Sequence, residues 1–232
     1  MKTLKLLLLG AYSIIASVSI AQTADDVINK NIAALGGAAK LSALKTVKME
    51  GNMNTQGVDV PLTITKKHLT GMRLDLEIMG TSNYQLANTT KGWVFMPIMQ
   101  HTEPQEMTAD QLKAVQTQFD IQGAFFNYKE KGYTAEYVGA EKLDGKDVHK
   151  LKLVKNGNNV FFYVDALSNF IVKTATKVSA EGQEMEVETK FSDFKQNADG
   201  YWFAYTNVTT QGTIIFDKIS TNIPVDDKLF TN

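Results

Sequence analysis

Turn-forming glycines cut most of this chain into strand-length pieces, and that punctuation confines it to an antiparallel β architecture. Breaks at Thr55-Gln56-Gly57, Thr70-Gly71, Gly80-Thr81 and Lys91-Gly92 delimit strands over 45–54, 58–67, 71–79, 82–89 and 92–97. A second series spans 133–143, 146–155, 159–165, 169–179, 184–195, 201–210 and 213–221. Its turns are Asp144-Gly145, Asn156-Gly157, Glu181-Gly182, Asp199-Gly200 and Gln211-Gly212, and the Asp-Gly and Asn-Gly pairs suit hairpins, where φ must be positive. Within the pieces the period is two. Met72, Leu74, Leu76 and Ile78 point one way and Arg73, Asp75 and Glu77 the other, the pattern of a sheet with one buried and one wet face.

Helical signals are few. Thr23 is a candidate N-cap, Asp25 and Asp26 occupy the first turn, and Gly36-Gly37 ends a helix whose Val27, Ile28, Ile32 and Leu35 form one stripe. A shorter stretch runs from Ala38 to Leu44. Thr108 with Gln111 forms a capping box opening a helix that aligns Leu112, Val115 and Phe119. Ile121 to Phe126 stays apolar and reads as a further helical turn or a flap. The fold class is therefore mainly β with a few helices (α+β). It is one large, curved antiparallel sheet of about 11–12 strands, an incomplete barrel, with helices on its concave face.

The leading 21 residues have a separate purpose. Lys2 and Lys5 precede the apolar run Leu6–Leu9, and Ser19-Ile20-Ala21 closes it on small residues, the layout of a secretory signal peptide cleaved after Ala21. The run is too short for a membrane span. The expected mature chain, 22–232, is one domain in the periplasm. It carries 22 basic and 25 acidic side chains, a net charge of −3, so no attraction to nucleic acid is expected. The absence of cysteine excludes disulfides, thiolate metal sites and a lipidated N-terminus.

Several segments, in order, resemble the outer-membrane lipoprotein-sorting family, the LolA/LolB-like periplasmic lipoprotein carriers. Lys91-Gly92-Trp93-Val94-Phe95-Met96-Pro97 is similar to that family's Gly-Trp-aromatic strand, and Phe161-Phe162-Tyr163-Val164-Asp165 with Leu167 and Phe170 to Lys173 to its central hairpin. Phe191-Ser192-Asp193-Phe194 and Asp199-Gly200-Tyr201-Trp202-Phe203-Ala204-Tyr205 resemble its late pair, with Ala204 where proline is usual. Asn222 to Phe230 resembles its closing anchor. The resemblance implies an incomplete barrel with a helical lid and a cavity for acyl chains. It also implies that Arg73, the only arginine, secures the lid. The strand alternation puts Arg73 on the polar face instead, so either a bulge re-aims it or it pairs with Asp75 or Glu77.

No catalytic constellation stands out. His68, His101 and His149 lack metal-ligand spacing, His101-Thr102-Glu103 is a lone H-x-E, and His149 shares parity with Leu151 and Leu153, as a hydrogen-bonded core histidine would. No nucleophile elbow, zincin motif or phosphate loop occurs. The expectation is a non-enzyme without cofactor or metal. Seven methionines lie between Met49 and Met107, and this adaptable side chain suits either a lipid-facing wall or plain core. The expected ligand-lining residues are Met72, Leu74, Leu76, Ile78, Trp93, Phe95 and Leu112, with Arg73, Val115 and Phe119 as lid or latch. The expected function is a monomeric carrier or chaperone for acylated lipoprotein or free lipid, with a membrane donor or acceptor complex. The alternative is a non-transporting envelope domain that senses lipid or acts as a scaffold.

Overall fold

A computed structural model describes residues 22–180 and 183–232. Residues 1–21, the expected signal peptide, and the Glu181-Gly182 turn lie outside the described residues. Helix α1 (Ala24–Ala34) starts at Thr23, whose hydroxyl accepts from the Asp26 amide while Asp26 accepts from the Thr23 amide, a reciprocal cap. Helix α2 is Ala38–Ala43 and α3 is Ala109–Gln116, the latter capped by Thr108 and Gln111 in the same way.

The strands are β1 (Thr46–Thr55), β2 (Val58–Lys67), β3 (Gly71–Ile78), β4 (Thr81–Asn88), β5 (Gly92–Phe95), β6 (Gln105–Glu106), β7 (Thr134–Leu143), β8 (Lys146–Lys155), β9 (Asn158–Asp165), β10 (Ile171–Ala180), β11 (Gln183–Gln196), β12 (Trp202–Thr209) and β13 (Gly212–Thr221). They form a single antiparallel sheet in the order β6-β5-β4-β3-β2-β1-β13-β12-β11-β10-β9-β8-β7. This is the curved, unclosed barrel read from the sequence, with one strand more. The two-residue β6 is too short to leave a period, which is why alternation did not reveal it.

Bulges supply part of the curvature. One falls at Glu50/Gly51, where a Cβ on Gly51 would lie 2.1 Å from the Ile215 carbonyl oxygen. Only glycine lets β13 approach that closely.

Helix α1 and the segment carrying α3 pack on the same face. Val27 and Ile28 of α1 pack with Leu151, Leu153, Phe162 and Val164, and Val115 and Phe119 pack with Met72, Ala87 and Met107. Between β6 and β7 the chain crosses this inner face from one sheet edge to the other. After α3 it runs as turns rather than a further helix, and Phe125, Phe126 and Tyr128 are buried. The outer face of β3 and β4 is covered by the C-terminal segment, where a 3-10 turn at Asp227–Phe230 buries Phe230 completely.

Candidate functional site

Strand register sorts the predicted residues into two groups. Lys66 opposes Met72, Ile64 opposes Leu74 and Leu62 opposes Leu76, so β2 and β3 share one row of inward side chains. That row continues across β1, where Val47 opposes Lys66, Met49 opposes Ile64 and Met53 opposes Val60. Met72, Leu74, Leu112, Val115 and Phe119 meet in one apolar cluster, with Leu76 in the adjoining one. Ile78 follows at the end of the same row, partly buried.

Trp93 and Phe95 stand on the other face. Trp93 pairs with Leu86 and Phe95 with Tyr84, and these oppose Arg73 and Asp75 respectively. The Tyr84 and Phe95 rings lie 5.5 Å apart. The register therefore separates Trp93 and Phe95 from the row of Met72, Leu74 and Leu76. Arg73 shares their outer face, away from α3. Its Nε donates to both Asp75 oxygens at 2.8 and 3.0 Å, and its guanidinium lies 4.6 Å from the Tyr84 ring.

The inner face is unevenly covered. α3 and Phe119 bury Met72 and Ala87, and α1 with Phe125 and Tyr128 buries Leu151 and Leu153. Between these contacts, on β3, β2, β1, β13 and β12, Met49, Met53, Ile64, Leu74, Leu76, Ile214 and Phe203 form an apolar strip whose members are only partly buried. Ile121, from the crossing segment, touches it. Sequence reasoning left Ile64, Phe203 and Ile214 out of the lining; Phe203 and Ile214 join Met49, Met53 and Leu76 only because β1 pairs with β13, and β13 with β12, far along the chain.

Polar contacts pin the crossing segment at both ends. At one end the Leu69 amide donates to the Phe119 carbonyl at 3.0 Å, and Asp120 receives Lys131 at 2.6 Å and lies 3.7 Å from His68. Burial holds the His68 imidazolium below its usual range, against the opposing pull of Asp120. At the other, the Tyr128 hydroxyl donates to Asp25 at 2.5 Å beside Lys129. That hydrogen bond, with Lys129, lowers the Asp25 carboxyl, while burial chiefly raises the Tyr128 phenol. Gln122 reaches the Ser42 and Leu44 carbonyls, tying the middle of the segment to α2.

One inner-row residue has no counterpart in the sequence reading. Lys66 lies deep within the protein between Val47 and Met72 while keeping part of its surface accessible. Desolvation lowers its ammonium from 10.5 to about 8. Nδ1 of His149 is 3.1 Å from the Tyr137 hydroxyl, and Nδ1 of His101 accepts from the Met96 amide. No cluster of three metal-binding side chains occurs among the described residues. A surface depression of about 820 Å³ lies elsewhere, at the ends of β8–β11 around Asp165, Phe170 and Phe194.

No family model and no curated protein matches the chain. Solved structures do. A LolA superfamily protein from Nitrosomonas europaea superposes with a TM-score of 0.57 at 14% identity, covering 91% of this chain and 99% of that one. A putative outer membrane lipoprotein-sorting protein domain from Vibrio parahaemolyticus gives 0.55 at 14% identity, covering 90% and 96%. A DUF1329 family protein from Desulfovibrio piger gives 0.58 at 14% identity, covering 89% and 96%. The fold is thus the LolA-like open barrel. No helix of the described residues is long and apolar enough to cross a membrane.

Proposed function

We propose that the protein is an exported, non-enzymatic lipid carrier that holds an acyl chain on the apolar strip between its sheet and the crossing segment. The observation that carries this reading is the strip itself: Met49, Met53, Ile64, Leu74, Leu76, Phe203 and Ile214 remain partly accessible on the helix-bearing face. A water-facing protein gains nothing from leaving such a row uncovered, whereas an acyl chain laid on it completes the core. Each buried methylene contributes ~0.8 kcal/mol, so a palmitoyl chain offers roughly 12 kcal/mol gross, from which ordering and association costs subtract. The pinned segment carrying α3 then acts as the lid. The likeness to a lipoprotein-sorting domain supports a role in the periplasm, as a monomer receiving acylated cargo from a membrane donor and yielding it to an acceptor.

The scaffold alternative draws on exposed apolar side chains such as Val208 and Ile215, diagonal neighbours on the outer face.

Titration of the mature protein with the neutral probe N-phenyl-1-naphthylamine tests the proposal. Saturable fluorescence enhancement at one probe per chain, competed by palmitate or methyl palmitate, is the expected result. Absence of saturable binding would refute it.

A further inference from the structure

The carrier reading leaves the head group of the ligand open, and one residue on the inner face bears on it. Lys66 is the penultimate residue of β2, and its register neighbours Val47 and Met72 are both buried and apolar. Ile64, Leu74 and Phe119 pack around Met72. Its ammonium is deeply enclosed, the residue keeps part of its surface accessible, and in the register it stands next to the partly buried Ile64 and Leu74 of the strip.

The ammonium has no hydrogen bond or ion pair to any described residue. Asp120, the carboxylate beside the neighbouring His68, is engaged by Lys131 at 2.6 Å and by the Gln122 amide at 3.1 Å. Nδ1 of His68, one residue past the end of β2, is buried and makes no hydrogen bond. An isolated buried charge is costly, and proteins ordinarily pair it or replace it with an apolar side chain. Here no described residue pairs with it, and the apolar strip starts at the same point. From Lys66 to Val60 the strand runs roughly 20 Å at about 3.3 Å per residue, room for an extended palmitoyl chain along Ile64, Leu74, Leu76 and Met53.

We infer that Lys66 is the anchor for the anionic head group, carboxylate or phosphate, of a single-chain lipid bound head-inward, with its acyl chain on the inner strip. The inference rests on the carrier reading and narrows it. A ligand with its anion at Lys66 is a free fatty acid or a lysophospholipid rather than the acyl chains of a lipoprotein, whose attachment ends are neutral esters and amides. Binding forms one charge-assisted hydrogen bond from the ammonium and supplies the missing counter-charge.

The test is displacement of N-phenyl-1-naphthylamine from the mature protein by palmitate, 1-palmitoyl lysophosphatidate and methyl palmitate, at pH 7. The neutral ester separates the two claims. Wild type is expected to bind at least one of the anionic lipids about 10- to 100-fold more tightly than methyl palmitate, the range of a hydrogen bond to a charged group. Which of the two wins identifies carboxylate or phosphate as the source. Lys66→Met is expected to bring the ratio to about one, and Lys66→Arg to keep it. Equal affinity of wild type for all three ligands would overturn the head-group assignment and leave the carrier reading standing. Failure of all three to displace the probe would overturn both. A ratio unchanged in a folded Lys66→Met protein would also overturn the assignment, because another group would then hold the anion.

Discussion

Replacing Lys66 with methionine is expected to stabilise the ligand-free protein. The reason is the depressed ammonium: about 8 in the folded chain against 10.5 in the unfolded one. At 1.36 kcal/mol per unit this difference sets a ceiling of about 3 kcal/mol on the folded state's penalty for carrying the charge. Partial access to solvent reduces it, so about 2 kcal/mol is the expected gain at pH 7. The sign follows from proton counting. Below pH 8 both states hold the proton and the full penalty stands. Between pH 8 and 10.5 the unfolded chain holds more protons at this site, so wild-type stability rises with pH relative to the variant. Above pH 10.5 the penalty is gone. Urea unfolding of both proteins at pH 7, 8.5 and 10 measures the difference, and comparing the pair cancels the other lysines and tyrosines. The variant should lead by about 2 kcal/mol at pH 7 and by much less at pH 10. A variant less stable than wild type at pH 7, or a gap independent of pH, would refute the claim that the ammonium is buried and unpaired.

Phe119→Ala empties a site only 3% exposed beneath the crossing segment and should cost about 3–5 kcal/mol, with faster proteolysis between residues 108 and 121 in a timed digest. Gly51→Ala drives a methyl group against the Ile215 carbonyl at the β1 bulge; thermal melting should show a loss of at least ~2 kcal/mol. Met53→Glu places a carboxylate on the partly buried strip and should weaken N-phenyl-1-naphthylamine binding at least ~10-fold by fluorescence titration. Arg73→Leu alters only the outer-face contacts to Asp75 and Tyr84, so probe affinity should stay within about twofold in the same titration.

Local rules carried most of the fold. Alternation in β3, the caps at Thr23 and Thr108, and the glycine turns each depend on residues a few positions apart, and each element stands within a few residues of its expected place. Faces within one strand were equally readable, as Met72, Leu74 and Leu76 demonstrate. What alternation cannot give is which face of the next strand matches. Trp93 and Phe95 were grouped with Met72 on composition, but the β3–β4–β5 register aligns them with Arg73 and Tyr84. Lys66 escaped notice for a related reason. In β2 it follows Thr65 and precedes Lys67, and a lysine pair at a strand end reads as solvated surface. Its burial appears only when Val47 and Met72 flank it.

Native mass spectrometry of the mature protein, expressed in its own envelope and purified without detergent, shows whether the inner strip holds an acyl chain. One bound lipid per chain is expected, with a single-chain anionic species on gentle dissociation. A protein that flies empty, and still takes up no N-phenyl-1-naphthylamine when the probe is added, would contradict it.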